Sequence, residues 1–211
     1  MPGQKKPEET RREQILAAAY QVASHKGIDG VTLRAVAAKA KLSHGLVLFH
    51  FKRKDQLLKA LLDRVLAETS ELHAAPAIGR LPAPLDRLRA LLRQEMDRLG
   101  HNPRRVRLFY DFWVLGTRNP AIGARIGAEL DRYRESYRDV IRDVIDAEPA
   151  RFAHVTPDGL ATVIVSFVNG CAVQAMIDPK HFDIDQYLAA ADGLLGQLPW
   201  ARPRRGARTT S

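Results

Sequence analysis

Apolar residues recur along this chain at spacings of three and four, and glycine and proline residues divide the pattern into segments. This period is typical of amphipathic α-helices, whereas half-buried strands alternate with a period of two. The pattern therefore predicts an all-α fold. The expected helices cover approximately residues 8–26, 32–40, 44–49, 54–74, 84–99, 103–115, 120–146, 157–177 and 184–197.

Several of the predicted helix ends carry their own sequence signals. Thr32 and Ser43 each precede a short helical segment, where a side-chain hydroxyl accepts a hydrogen bond from a free backbone N–H group. Gly27 follows the first long segment and is a typical stop residue. Pro120 and Pro157 each follow a residue suited to capping, and proline loses nothing at the first position of a helix.

The segment from residue 75 to residue 84 contains three prolines and a glycine, which predicts a linker at a domain boundary. The expected organisation is a small three-helix domain over residues 1–56 and a larger helical-bundle domain over residues 57–200. A basic, disordered tail is expected over residues 201–211. The helix predicted at 54–74 connects the two domains.

The net charge of +9 is concentrated at the two ends of the chain. Residues 1–56 carry eleven Lys and Arg against five Asp and Glu, and residues 201–211 carry four arginines and no acid. Residues 57–200 therefore have a net charge of −1. A basic head beside a near-neutral body is expected when the first quarter of a chain contacts a polyanion, and nucleic acid is the favoured partner.

Composition and residue inventory argue against other classes of protein. With 211 residues, 45% of them hydrophobic, the chain is long enough to bury a core, and disorder of the whole is not expected. A single cysteine, Cys171, excludes a disulfide framework and is expected to be a buried, inert thiol. The histidines lack metal-binding spacing and no phosphate-binding loop is present, so neither an enzyme nor a metal site is expected.

The longest uncharged run, residues 159–177, is long enough to suggest a membrane span. Thr162, Ser166, Asn169 and Gln174 interrupt this run, so we interpret it as the core helix of a soluble protein. Residues 1–14 are charged and lack the apolar stretch of a signal peptide. The expected location is therefore the cytoplasm, with no membrane partner.

Two short helices joined by about four residues, the second of them capped by Ser43, are a candidate helix-turn-helix. In this motif the second helix lies in the major groove of DNA and presents side chains near its N-terminus to base edges. The free N–H groups at a helix N-terminus also favour a phosphate. His44 and Gly45 occupy this position, and Gly45 lets the backbone approach DNA closely.

A set of residues in this region has the order and spacing of cap, turn, glycine, aromatic and lysine. These residues are Thr32, Val36, Ala37, Ala40, Leu42, Ser43, Gly45, Val47, His50, Phe51, Lys54, Leu57 and Leu58. Together they resemble the N-terminal domain of the tetracycline-repressor (TetR) family of bacterial transcription regulators, over approximately residues 10–66. Lys41 replaces the glycine that is usual in the turn, and a lysine is tolerable there if its φ angle is not positive.

The resemblance implies DNA-binding roles for residues in and beside the second helix. Phosphate contacts are implied for Thr32, Ser43, His50 and Lys54, base contacts for His44, Gly45, Leu46 and Leu48, and Lys52 completes the DNA-binding set. Leu48 replaces a tyrosine that often contacts phosphate in the family. It is either a contact to a thymine methyl group or a core residue. His50 is either a phosphate contact or a packed histidine.

The remainder of the chain resembles, more weakly, the TetR subgroup that contains the choline-responsive betaine regulator, through residues 109–113 and 167–179. This resemblance implies a domain for dimerisation and for binding a small-molecule effector. The subgroup has an acidic-Gly-Leu-Trp run where this chain has residues 169–172, which argues against choline itself. The candidate pocket residues are Phe109, Phe112, Trp113, Tyr133, Tyr137 and Asn169, and the alternative for each aromatic is a place in the core.

These observations predict a ligand-responsive, sequence-specific transcriptional regulator that forms a homodimer. It is expected to be a repressor that a small effector of unknown identity, and no other cofactor, releases from a palindromic DNA operator. The apolar helix 157–177 and the final helix are expected to face the partner subunit, with Val165 or Val168 at the seam. An activator of the same fold and a helical adaptor that does not bind DNA are the alternatives.

Overall fold

The structure is a computed structural model that describes residues 7–67 and 76–197. The helices are α1 (Glu8–Lys26), α2 (Leu33–Ala40), α3 (His44–His50), α4 (Lys54–Ala67), α5 (Pro76–Gly79), α6 (Pro84–His101), α7 (Pro103–Gly116), α8 (Pro120–Ala147), α9 (Pro157–Ile177) and α10 (Ile184–Gln197). A 3-10 turn, Ile28–Gly30, follows α1. No strand occurs in these residues, so the predicted all-α fold is confirmed. The predicted tail at 201–211 lies outside the described residues.

The main difference from the predicted elements lies in the proline-rich segment, where the four-residue helix α5 occupies part of the expected linker. Elsewhere the capping signals hold. The Asn119 side chain accepts hydrogen bonds from the backbone N–H groups of Ala121 and Ile122 at the start of α8, at 3.1 and 3.2 Å. Thr156 does the same for Gly159 at the start of α9, at 3.1 Å. Both caps satisfy donors that a helix leaves free at its first turn.

The chain divides into two compact units, each built from segments that are distant in sequence. Among the described residues, unit 1 comprises residues 7–67 and 97–132, and unit 2 comprises residues 76–96 and 133–197. The boundary predicted at residue 56 therefore differs from the division by packing, because α7 contacts α1 and α4 within unit 1. The assignment of separate functions to residues 1–56 and 57–200 stays a prediction.

One apolar core holds unit 1 together, and helices α1 to α4, α7 and the first turns of α8 contribute to it. Its largest fully buried side chains are Ile15, Phe51, Leu57, Leu61, Leu62, Leu108, Phe112 and Ile122. Arg64 pairs with Glu13 of α1 at 2.8 Å, and Asp63 pairs with Arg125 of α8, so polar contacts also tie α4 to its neighbours. The two helices of the helix-turn-helix candidate thus pack into the core of unit 1.

In unit 2, α9 buries one side along most of its length. Its buried residues are Leu160, Ala161, Ile164, Val165, Val168, Cys171 and Ala172. Val165 and Val168 are each only 3% exposed. The prediction that one of them lies at a seam between subunits is therefore wrong, because both already fill the core of their own unit. The exposed large apolar residues of α9 are Val163 and Ile177, at 46% and 79%.

The polar side chains of α9 bond back to their own helix. The Thr162 hydroxyl donates to the Asp158 carbonyl, the Ser166 hydroxyl to the Thr162 carbonyl, and the Asn169 amide to the Val165 carbonyl, each at 2.8 Å. These donors are satisfied inside the helix, so burying them beneath another helix costs little.

By length and composition α9 is apolar enough to cross a membrane, with a mean hydropathy of 1.8 over its most apolar window. Its buried side packs into unit 2, as in the core helix of a soluble protein. The interpretation of this segment as a core helix agrees with that packing, and the expected absence of a membrane partner stays a prediction.

Candidate functional site

The helix-turn-helix candidate is formed by α2 and α3, and both helices are capped as the sequence predicts. The Thr32 hydroxyl accepts a hydrogen bond from the Ala35 backbone N–H at 3.0 Å. The Ser43 hydroxyl accepts one from the Leu46 N–H at 3.2 Å. In each case one free donor of the first turn is satisfied, and the hydroxyl hydrogen is still available to donate to a DNA phosphate.

The turn between the two helices contains Lys41 in the left-handed region, with a φ of 55°. Its N–H groups close the end of α2: the Lys41 N–H donates to Ala38 and the Leu42 N–H to Ala37. The condition under which lysine is tolerable here is therefore not met. A left-handed conformation costs a residue with a Cβ atom roughly 1–2 kcal/mol, so the turn keeps its tight geometry at the expense of strain.

One face of α3 is exposed and the opposite face is buried. The exposed face carries His44, Gly45, Leu48 and Phe49, followed by Lys52. Val47 and Phe51 on the other face are fully buried in the core of unit 1. Leu48 is exposed, so its alternative as a core residue is wrong.

Phe49 is a surface residue that the sequence reasoning missed, and it is 73% exposed. The available signal was its position four residues after Gly45, which places it on the same helix face. The half-buried His50 ring lies edge-on to Phe49, with centroids 5.3 Å apart. Exposed apolar residues on this face suit contact with the thymine methyl group in the major groove.

The residues that flank α3 are less exposed than its front face. Leu46 is half-buried, and Lys54 is a half-buried residue at the start of α4. The backbone N–H of Lys52 donates to the Gln56 side chain at 3.1 Å, which orders the connection between α3 and α4. All nine predicted DNA-binding residues thus lie along one segment that runs from the start of α2 to the start of α4.

The six predicted pocket residues do not fall into one compact unit. Phe109, Phe112 and Trp113 lie on α7 in unit 1, whereas Tyr133, Tyr137 and Asn169 lie in unit 2. Phe112 is 0% exposed and belongs to the core of unit 1, so its role is packing there. Phe109 and Trp113 are partly buried against that core, with ring centroids 5.7 Å apart in a T-shaped pair.

Unit 2 holds a carboxylate that the sequence reasoning missed. Glu95 on α6 is only 2% exposed. The rings of Tyr133 and Tyr137 form a T-shaped pair with centroids 5.5 Å apart. Burial, then the proximity of Tyr137 and of Glu95, raises the pKa of Tyr133 well above its ordinary value, so this phenol is neutral. Glu95 gives no sequence signal of burial, because charged side chains are almost always exposed.

Burial also raises the pKa of three other titratable groups. Cys171 is buried, as expected, and burial raises the pKa of its thiol to about 11, which disfavours the reactive thiolate. Burial, followed by the nearby Cys171, raises the pKa of Tyr187 to about 12, and its hydroxyl donates to the Phe167 carbonyl at 2.7 Å. Burial also raises the pKa of Asp111, and so does Asp29, while Arg107 opposes the shift.

A groove of about 230 Å³ lies between α6 and α10 in unit 2. Arg89 bonds to Asp192 and Arg93 to Asp185, each at 2.5 Å, across this groove. The hydrogen bond between Arg89 and Asp192 is the main cause of the raised pKa of Arg89. The two ion pairs link α10 to α6 at the surface. Among the described residues no group of three or more His, Cys, Asp or Glu side chains has the arrangement of a metal site.

Two known families match separate parts of the sequence. Residues 15–61 match the family described as bacterial regulatory proteins of the tetR family. Residues 84–199 match the family described as BetI-type transcriptional repressor, C-terminal. This chain belongs to the TetR family. It is therefore a transcriptional regulator with a helix-turn-helix DNA-binding domain, and not an enzyme.

Several relatives of this TetR-family regulator are known. The BetI regulator of Stenotrophomonas maltophilia is 32% identical over 115 residues, which are 54% of this chain and 59% of that protein. A helix-turn-helix regulator from the dhlA 5′ region of Xanthobacter autotrophicus is 27% identical, over 82% of this chain and 83% of its own length. The chain thus matches about three-fifths of the length of the BetI relatives.

A solved structure shares the fold. The transcriptional regulator from Saccharomonospora viridis, determined in complex with choline, superposes with a TM-score of 0.72 at 18% identity. The superposition covers 90% of this chain and 97% of that one. The two chains therefore share a fold over nearly the whole of their lengths.

Proposed function

We propose that this TetR-family regulator is a homodimeric repressor of the cytoplasm, which binds a palindromic operator and is released by a small-molecule effector. The observation that carries the DNA contact is the exposed face of α3, bounded by two capped helix N-termini. Thr32, Ser43, His50, Lys52 and Lys54 contact phosphates at its edges in this proposal, and these contacts fix the register.

The base-reading part of the proposal rests on the front of α3. His44, Gly45 and Leu48 are exposed and lie along one helix face, and Leu46 is half-buried beside them. A Cβ atom built on Gly45 meets no described atom within 4 Å. The fold itself therefore does not need glycine at this position. Close approach of the α3 backbone to DNA is the reason that we propose for it.

Release by an effector follows from a shift between two populations of the dimer. An effector that binds more tightly to a dimer with wrongly spaced recognition helices lowers the affinity for the operator. By linkage, the operator lowers the affinity for the effector by the same factor. Recognition helices in a two-fold dimer read half-sites about 34–36 Å apart, so a small change in spacing is sufficient to disengage one of them.

We infer that the effector is an organic cation that the Glu95 region of unit 2 recognises. A buried carboxylate beside two tyrosine rings provides both the charge and the aromatic faces that a quaternary ammonium group prefers. The choline bound by the Saccharomonospora viridis regulator is a ligand of this class. Residues 169–172 lack the acid and tryptophan of the subgroup, so choline is a probe for the class of ligand and not the proposed effector itself.

Two substitutions test the DNA contact by separating phosphate contacts from base contacts. Lys54→Ala is expected to weaken binding to operator and random DNA alike and to reduce the salt slope by about one unit. His44→Ala is expected to change which operator bases matter, with a loss of about 1–3 kcal/mol at one or two base pairs. Fluorescence anisotropy against salt and a scan of mutated operators measure these effects. An unchanged slope removes Lys54 from the interface, and an unchanged base profile removes His44.

Calorimetric titration with choline and with its neutral isostere 3,3-dimethylbutan-1-ol tests the class of effector. The charged ligand is expected to bind more tightly than the neutral one. Glu95→Gln is expected to reduce the ratio of the two affinities by about tenfold to hundredfold, because a hydrogen bond to a charged group contributes about 1.5–3 kcal/mol. Glu129→Gln is the matched control, because Glu129 is buried too but pairs with Arg132 in unit 1. Equal binding of the two ligands contradicts a cation site.

A further inference from the structure

Two side chains of α1 reach the C-terminal ends of the two helix-turn-helix helices. The Gln14 amide donates to the carbonyl of Ala40, the last residue of α2, at 3.0 Å. The Arg12 guanidinium donates to the carbonyl of His50, the last residue of α3, at 3.5 Å. The last carbonyls of a helix lack partners within it, so α1 satisfies one such group on each helix.

Arg12 makes a second contact at the same helix end. Its guanidinium carbon lies 4.4 Å from the centroid of the Phe51 ring, which is the fully buried C-cap residue of α3. A guanidinium at this distance from an aromatic face is attracted to the ring, and its planar shape suits the contact. Arg11 in turn donates to the Gln14 side chain at 2.9 Å and orients its amide.

An α1 side chain, Arg12, thus contacts the C-terminal end of α3. α3 has only seven residues, and a helix of this length is not stable by itself, so its direction depends on the packing of Val47 and Phe51 and on contacts at its ends. Ser43 fixes the first turn, and Arg12 holds the last carbonyl and the ring that follows it. A tilt of α3 would displace Leu48 and Phe49, which lie in its second half, from their place on the exposed face.

We propose that Arg12 is a positioning residue for DNA recognition, which sets the direction of α3 together with Gln14 rather than contacting a phosphate. The proposal rests on the proposed DNA contact through α3. Loss of Arg12 then affects operator binding, which requires a correct direction of α3, more strongly than binding to random DNA, which requires only positive charge.

The test compares wild type, Arg12→Gln and Arg12→Lys with an operator selected from random duplexes by the wild-type protein. Anisotropy titrations against salt are made on this operator and on a random duplex. Both variants are expected to lose about tenfold in operator affinity, with little change on random DNA and an unchanged salt slope. Lysine does not rescue, because it keeps the charge but lacks the planar group that covers Phe51. Lys26→Gln, which removes a cation from the other end of α1, is expected to behave as wild type.

Other results overturn the proposal in distinguishable ways. If Arg12→Lys matches wild type while Arg12→Gln loses affinity for both duplexes and about one unit of slope, Arg12 is a phosphate contact. If neither variant changes operator affinity, Arg12 positions nothing. Should Arg12→Gln unfold by circular dichroism, Gln14→Leu replaces it as the second variant and is expected to show the same selective loss. If the wild-type protein selects no operator, the proposed DNA contact itself fails.

Discussion

Val163→Glu is expected to convert the proposed homodimer into a folded monomer. Val163 is exposed on α9, on a stripe that continues through Gly170 to Ile177. If this stripe faces a second subunit, each protomer buries one introduced carboxylate, and the effective penalty is several kcal/mol per ion. Fold stability is expected to change little, because the side chain points away from the core of its own unit.

The neighbouring surface favours this seam. The exposed face of α10 carries Ala189, Ala190, Gly193 and Leu194, which are small or apolar residues. A Cβ atom built on Gly170 or Gly193 meets no described atom within 4 Å, so a second helix can approach closely there. The hydroxyl groups on the α9 stripe already bond within their helix and do not resist burial.

Loss of the dimer is expected to weaken DNA binding more than loss of any single contact to DNA. A dimer that engages two half-sites gains about 10²–10⁴-fold in affinity over one half, because the second contact is intramolecular. Val163→Glu is therefore expected to lose operator binding by about that factor at protein concentrations below its new dimerisation constant. Sizing chromatography with light scattering gives the mass, and anisotropy gives the affinity. Val163→Thr, which keeps the shape without a charge, is the control and is expected to remain a dimer. A dimeric Val163→Glu protein that binds operator normally places the seam elsewhere.

Local signals in the sequence are sufficient to predict the helices of the proposed DNA contact. Thr32 and Ser43 were recognised as caps because side-chain capping depends on residues three apart, and the structure has both hydrogen bonds. The exposure of Leu48 and the left-handed Lys41 were not determined by such signals. A φ angle depends on how the chain leaves one helix and enters the next, and lysine in the turn gives no indication of it.

Features that depend on distant packing were less predictable. The aromatic residues Phe109, Phe112, Tyr133 and Tyr137 have similar helical spacing, yet they fall in two different units. Val165 and Val168 are apolar like Val163, but only the packing of α9 decides which of the three is exposed. A helix that is apolar nearly all round gives no periodic signal for its free side. Glu95 was missed for the opposite reason, since its charge suggests a solvated surface.

Phe112→Ala is expected to destabilise the protein by about 3–5 kcal/mol, the range for truncating a fully buried phenylalanine. Phe112 is 0% exposed and packs in the same core as α1 and α4, the helices beneath α3. Since small domains are stable by about 5–15 kcal/mol, this loss removes a large fraction of the total. The free energy of unfolding from urea titration, followed by circular dichroism, measures the effect.

The same experiment separates a core residue from a pocket residue on α7. Val114→Ala is the matched control, because Val114 lies on the same helix with 60% of its surface exposed, and its change is expected within about 0.5 kcal/mol. A side chain that lines an effector pocket can be truncated with little loss of stability but with a loss of ligand affinity. If Phe112→Ala unfolds at the same urea concentration as wild type and instead abolishes effector binding, Phe112 lines the pocket. The large stability loss expected here follows from the cavity that alanine leaves in the core of unit 1, which the surrounding structure closes only in part.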